Sequence, residues 1–132
     1  RGKVGMTYKL SNKSLSKLVS VHPDLRAVVE RAIQISPIDF AVIEGLRSVS
    51  RQKELFHAGA TRTMNSRHLT GHAVDIAAVV GGEIRWDWPL YDGLAVAMKQ
   101  AAKELDVAIV WGGDWTTFKD GPHYELDRAK YP

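Results

Sequence analysis

The run Ala73-Val74-Asp75-Ile76-Ala77-Ala78-Val79-Val80 most limits how this chain can fold. Val74, Ile76, Val79 and Val80 are β-branched, and the run is bounded by Gly71 before it and Gly81-Gly82 after it. Branching at Cβ disfavours helix and suits extended chain, so a strand is predicted over 73–80. Side chains of a strand alternate, which sends Val74, Ile76, Ala78 and Val80 to the core and Ala73, Asp75 and Ala77 to the opposite face. Asp75 is then a single carboxylate between small neighbours, with room for an ion beside it. Gly81-Gly82 followed by Glu83-Ile84-Arg85-Trp86 reads as a hairpin.

Other segments supply what such a strand must pack against. Leu10, Leu15 and Leu18 lie at helical spacing within a polar stretch, giving a short first helix. His22-Pro23-Asp24 opens a second, because proline suits the first turn and an acidic side chain complements the dipole there. Leu25, Val28, Val29, Ala32 and Ile33 continue it at spacings of three and four to about Ser36, and Pro37 ends it. Asp39 to Gly45 and Val107 to Val110 read as buried strands, and Val49 to Ala58 as a helix closed by Gly59. Pro89 starts a long helix whose wide apolar face, Met98 included, packs on the sheet. The expected fold is α+β, a single compact domain with a small, mainly antiparallel sheet and helices covering one side. Residues 1–5 read as an expression remnant and residues 6–132 as the domain.

With 132 residues, 45% of them hydrophobic and 25% charged, the chain is the size of one soluble domain with a core of its own. It has no apolar run long enough to span a membrane and no leader pattern. No cysteine is present, so disulfide scaffolds and thiolate metal sites are excluded, and any metal must be held by His, Asp and Glu. The net charge of +3 is scattered, without the basic stripe and interleaved aromatics of a nucleic-acid binder. It favours anionic polymers in general, bacterial cell wall among them.

Two clusters carry the chemistry. The first is Ser66-Arg67-His68-Leu69-Thr70-Gly71-His72-Ala73-Val74-Asp75. As a helix it would put His68, His72 and Asp75 on one face, but Gly71 and the β-branched run argue against helix, and Leu69 stands where a helical zinc motif needs glutamate. As a strand preceded by a turn, it lets His68 reach the ion beside Asp75, while His72 points elsewhere. The second cluster is Asp120-Gly121-Pro122-His123-Tyr124-Glu125. Pro122 keeps Gly121 out of the helical region, so a turn feeds an extended segment in which His123 and Glu125 share a side. His123 then completes a His-Asp-His set of nitrogen and oxygen ligands of the kind a catalytic zinc prefers, and Asp120 is placed to act as base. The same residues also read as separate features, two loop histidines and a turn-forming aspartate. Arg47, at a strand end, is either a solvated cap or a fork for a carboxylate or oxyanion. Trp111 and Trp115, around Gly112-Gly113-Asp114, serve packing or wall a cleft. His22 reads as a surface residue at a helix entry.

Ser66-x-His68-x-x-Gly71-x-Ala73-x-Asp75, with Asp120-x-x-His123 far downstream, resembles the zinc peptidases of the D-alanyl-D-alanine carboxypeptidase, VanY-like group. Within that group it is most similar to phage endolysins that act as L-alanyl-D-glutamate peptidases. Gly45-Leu46-Arg47-Ser48, Gln52, Leu55, Gly59 and Trp111-Gly112-Gly113-Asp114-Trp115 extend the resemblance over most of the chain from about His22. It implies a hedgehog/DD-peptidase type of fold, a Zn2+ cofactor on His68, Asp75 and His123, and Asp120 as catalytic acid/base where many relatives carry glutamate. It implies that Arg47 steadies substrate or oxyanion and that Ser66 is a hydrogen-bonding residue of the cleft. Glu125 is expected to orient a metal ligand, and His72 takes no role. The partner implied is the peptidoglycan stem peptide, met by a monomer without nucleic acid or membrane anchor. Synthesis in the host cytoplasm and action on the wall in the periplasm after release would follow. Two other outcomes are a D-alanyl-D-alanine carboxypeptidase or dipeptidase, and a non-catalytic wall-binding domain.

Overall fold

The computed structural model describes residues 7–61, 64 and 66–132; the expected remnant at residues 1–5 lies outside them. In chain order the elements are α1 (Asn12–Leu18), α2 (Pro23–Ile35), β1 (Asp39–Glu44), α3 (Val49–His57), β2 (Ala73–Val80), β3 (Glu83–Arg85), α4 (Trp88–Leu105), β4 (Ile109–Trp111) and β5 (His123–Leu126). A single 3-10 turn, Arg67–Thr70, leads into β2, and another, Gly112–Asp114, follows β4. Polar residues start α1, α2 and α3 as their types predict. The Ser11 and Ser48 hydroxyls accept the Ser14 and Arg51 N–H groups, and His22 Nδ1 accepts that of Asp24, with Pro23 opening α2.

β2 is the centre of an antiparallel sheet. One edge pairs with β1 from Asp39–Val79 to Glu44–Asp75, with a bulge between Val42 and Glu44. The other edge is shared, by β5 at Ala73–Asp75 and by β3 at Ala78–Val80. β4 pairs with the outer side of β5, giving the order β1-β2-β5-β4. The free side of β1 is met by α1, whose Ser14 hydroxyl accepts the Val42 N–H at 3.0 Å. An edge strand is thereby covered rather than left open to pairing.

The alternation along the strands divides the sheet into two unlike faces. Phe40, Val42, Val74, Ile76, Ala78, Tyr124 and Leu126 are buried in one core with the apolar faces of α2 and α4. Glu44, Asp75 and His123 are direct cross-strand partners in one row, so they share the opposite face. The structure departs from the expectation at some strand ends. Val80 is 43% exposed rather than in the core, because it lies beyond the last β1 pair, Asp39–Val79, in the hairpin with β3. The fourth strand begins at Ile109 rather than Val107, because the Val107 N–H still bonds back to the Ala102 carbonyl and closes α4. No helix among the described residues is long and apolar enough to cross a membrane.

Candidate metal centre and active-site cleft

The polar face of the sheet floors a cleft of about 670 Å³. His68, Asp75 and His123 converge there, each offering a ligand atom within 4.8 Å of the others. The sheet register brings Asp75 and His123 together as a cross-strand pair. His68 arrives from the 3-10 turn, and Gly71 makes this approach possible in two ways. Gly71 takes a left-handed φ of 75°, and a Cβ there would stand 2.6 Å from the Ser20 carbonyl oxygen.

Hydrogen bonding at the two imidazoles shows what the cluster lacks. His68 Nδ1 lies 2.9 Å from the Gly45 carbonyl oxygen, which can only accept, so Nδ1 carries the proton. The Nε2 atom of a neutral His68 is then a bare acceptor, yet it faces another acceptor, Asp75 Oδ1, at 3.1 Å. His123 is caught in the same way, with Nε2 2.8 Å from Glu125 Oε1 and Nδ1 3.1 Å from the same Asp75 oxygen. Both inner nitrogens and a carboxylate oxygen thus point at one place and need positive charge there. Either extra protons or a metal cation satisfies them, and two neutral imidazoles with one carboxylate form a nitrogen and oxygen donor set that suits zinc. The outer contacts, a carbonyl on His68 and a carboxylate on His123, are those that fix the tautomer of a ligating histidine.

The electrostatics agree. Burial disfavours a charged His123, but hydrogen bonds to Asp75 and Glu125 and the charges of Asp75 and Asp120 outweigh it and push its pKa up to about 9. Burial likewise acts to raise Asp75, yet bonds from His123 and His68 hold its carboxyl well below the usual carboxylate range. Glu125 is lowered because its bond to His123 overcomes burial. Asp120 moves the other way: burial and the Asp75 charge raise it against the pull of His123, His68 and Arg47. A carboxylate in the same cleft is therefore pushed toward holding a proton while its neighbour is kept ionised, the kind of split that separates acid/base from ligand roles.

Asp120 reaches the cleft through the turn after β4. Its N–H donates to the Gly112 carbonyl at 3.1 Å, and a Cβ on Gly112 would stand 2.4 Å from the Asp120 carbonyl oxygen. Trp111 is buried packing that donates from Nε1 to Gly121, whereas Trp115 stands against the His123 ring, centroids 5.2 Å apart, and walls the cleft. Arg47 is buried and serves as a fork rather than a solvated cap. It grips Glu44 through Nε and Nη2 at 2.7 and 2.9 Å, and Gln52 through Nη1 at 2.6 Å. Its Nη2 lies 3.8 Å from Asp75 Oδ2. Ser66 lines the cleft, its hydroxyl accepting the His68 N–H at 3.1 Å. His72 lies apart, its Nδ1 2.7 Å from the Thr70 hydroxyl.

Sequence reasoning missed Glu44, the carboxylate that aims Arg47, and gave Gln52 no role. Glu44 had a signal, an opposite charge three residues before Arg47 at a strand end. The wholly buried Gln52 had none, since its partner is fixed by how α3 docks.

A crystal structure of the Serratia marcescens L-Ala D-Glu endopeptidase ChiX superposes with a TM-score of 0.90 at 44% identity, covering 99% of this chain and 98% of that one. The fold is that of a small endopeptidase. The L-alanyl-D-glutamate peptidase of Escherichia phage T5 is 33% identical over 130 residues, 96% of this chain and 94% of its own length. The peptidoglycan L-alanyl-D-glutamate endopeptidase CwlK of Bacillus subtilis (strain 168) is 36% identical over 103 residues, 67% of this chain and 61% of that protein. Residues 6–131 match the model of the phage L-alanyl-D-glutamate peptidase family, and the chain belongs to that family.

Proposed function

We propose that this chain is a zinc-dependent endopeptidase that cuts the L-alanyl–D-glutamate bond in the stem peptide of peptidoglycan. The observation that carries the metal is the meeting of His68 Nε2, His123 Nδ1 and Asp75 Oδ1, three acceptors around one point. The names of the relatives support the bond and the polymer.

His68, Asp75 and His123 would hold the ion, and Gly45 and Glu125 would fix the two rings. A zinc ion so held supplies a Lewis acid and lowers the pKa of water from 15.7 to roughly 7. Asp120 takes the proton as a water oxygen adds to the alanyl carbonyl carbon, and returns it to the glutamate nitrogen as the C–N bond breaks. Its raised pKa suits both halves of that transfer. Arg47 spends three of its five N–H donors on Glu44 and Gln52, which clamp its plane. The remaining donors on Nη1 and Nη2 are what it can offer the developing oxyanion, a contribution of about 3 kcal/mol. Action on the wall follows from this substrate and places the working enzyme where peptidoglycan lies.

The test is digestion of purified peptidoglycan by the zinc-loaded protein, with mass spectrometry of the new termini. New alanyl carboxyl and glutamyl amino ends are expected, and release of D-alanine alone would refute the reading. Asp120→Ala is expected to keep its zinc and lose roughly 10²- to 10⁴-fold in turnover. Undiminished turnover in that variant would remove Asp120 from the mechanism.

A further inference from the structure

A glutamate residue that gives up its nitrogen at the cut bond has two carboxyl groups, and the peptide can continue through one of them at most. The other is a free carboxylate, ionised at neutral pH. A substrate cut as proposed above therefore brings negative charge into a cleft whose walls already hold Glu44, Asp75, Asp120 and Glu125. Like charges juxtaposed without a cation between them oppose binding.

Arg47, Arg67 and Arg128 line the cleft among the described residues, and their states differ. Arg47 is buried and forked onto Glu44 and Gln52. Arg67 is buried, with Nη2 directed at the carbonyl oxygens of Leu126 and Tyr131. Arg128, two residues past β5, has a side chain 62% exposed. Its nearest carboxylate oxygen, Glu125 Oε2, is 3.9 Å away, an attraction beyond hydrogen-bond distance. The other oxygen of Glu125 is engaged by His123 at 2.8 Å. Arg128 thus keeps its planar fork open at the rim, the geometry that matches a carboxylate two-to-two.

Resting on the proposed bond, we infer that Arg128 is the binding site for the free carboxylate of the substrate's glutamate residue, and that it selects glutamate over its amide at that position. Recognition is of charge and planar shape, so a lysine there keeps the charge and loses the fork.

The experiment compares two synthetic peptides, identical across an L-alanyl–D-glutamyl bond, one with that carboxylate free and the other with it converted to a primary amide. The zinc-loaded full chain is expected to prefer the acid by roughly tenfold in kcat/KM, the scale of one charge-assisted hydrogen bond. Arg128→Ala is expected to bring the ratio close to one, chiefly through a higher KM for the acid, and Arg128→Lys to fall between. Within each variant both peptides meet the same amount of active enzyme, so the ratio is insensitive to partial unfolding. A wild-type protein without the preference, or an Arg128→Ala protein that retains it, overturns the assignment. If the wild-type protein cuts neither peptide at this bond, the proposed function fails and takes the inference with it, a result seen without any variant.

Discussion

Two pairs of histidines in this molecule stand at nearly the same separation. The ring centroids of His68 and His123 are 5.1 Å apart, and those of His22 and His72 are 5.5 Å apart. What differs is the group between the rings and the use made of the outer nitrogens. The first pair is buried, shares Asp75 Oδ1, and has its outer nitrogens occupied by Gly45 and Glu125, so the inner ones point at a common place. In the second pair His22 spends Nδ1 on capping α2, His72 has the Thr70 hydroxyl at Nδ1, and the Tyr131 ring stands nearly perpendicular to that of His22. Proximity of imidazoles does not make a metal site. A carboxylate in common and outer contacts that turn the free nitrogens inward give a donor set that could hold one.

The largest effect expected from breaking this contrast comes from removing the shared carboxylate. Asp75→Ala is expected to lose bound zinc and at least roughly a thousandfold in peptidoglycan hydrolysis, since the ion and the chemistry it supplies go together. His72→Ala is expected to keep its zinc and stay within about twofold of wild-type activity, as surface changes away from such features usually do. Metal analysis and hydrolysis rates on the pair decide it: zinc retained by the first variant, or lost by the second, would reverse the assignment of the two clusters.

Much of this contrast was legible in the sequence. The β-branched run after Gly71 gave β2, alternation gave the side on which Asp75 stands, and Pro122 gave the turn that delivers His123 and Glu125 to one face. His72 was separated from His68 by the same periodicity. What stayed hidden depends on register and docking between distant segments. Nothing local says that Glu44, Asp75 and His123 form one row, because that follows from pairing three strands with a bulge in the first. The Gly45 carbonyl under His68 is likewise a tertiary contact, while Gln52 behind Arg47 and Trp115 against His123 depend on how the loops beside them turn and have no spacing of their own. The limits of alternation also show: Ala73 and Ala77 are fully buried on the polar side of β2, where pattern alone gives no depth.

A smaller effect sharpens the role of the outer contacts. Glu125→Gln keeps the shape of the side chain but removes the charge that faces His123 Nε2. Loss of such an outer partner typically costs about 10- to 100-fold in metal affinity. Competition with a chelator of known strength is expected to show a loss in that range, with hydrolysis restored by added zinc. An affinity equal to that of the wild type would mean that Glu125 only fills space.

The smallest expected effect separates the two clusters by the sign of their response to pH. In the metal-free protein His123 titrates at about 9, because hydrogen bonds to Asp75 and Glu125 overcome burial; an unfolded histidine titrates near 6.5. Its folded pKa is raised, so its contribution to stability is complete below about pH 6.5 and fades as pH rises through 9. His72 is lowered, first by burial and then by the charges of Arg67 and His22, so its contribution is present above 6.5 and is lost as pH falls. Melting temperatures of the metal-free protein should therefore fall on the alkaline side through His123, and more weakly on the mildly acidic side through His72. His72→Ala should flatten the acidic slope and leave the alkaline one. If zinc takes the place of the His123 proton, the rise in melting temperature on adding zinc should grow from pH 6.5 to 9, by on the order of 5 °C. A zinc effect that stays level across that range would mean that the ion and the proton do not share the site between His68, Asp75 and His123.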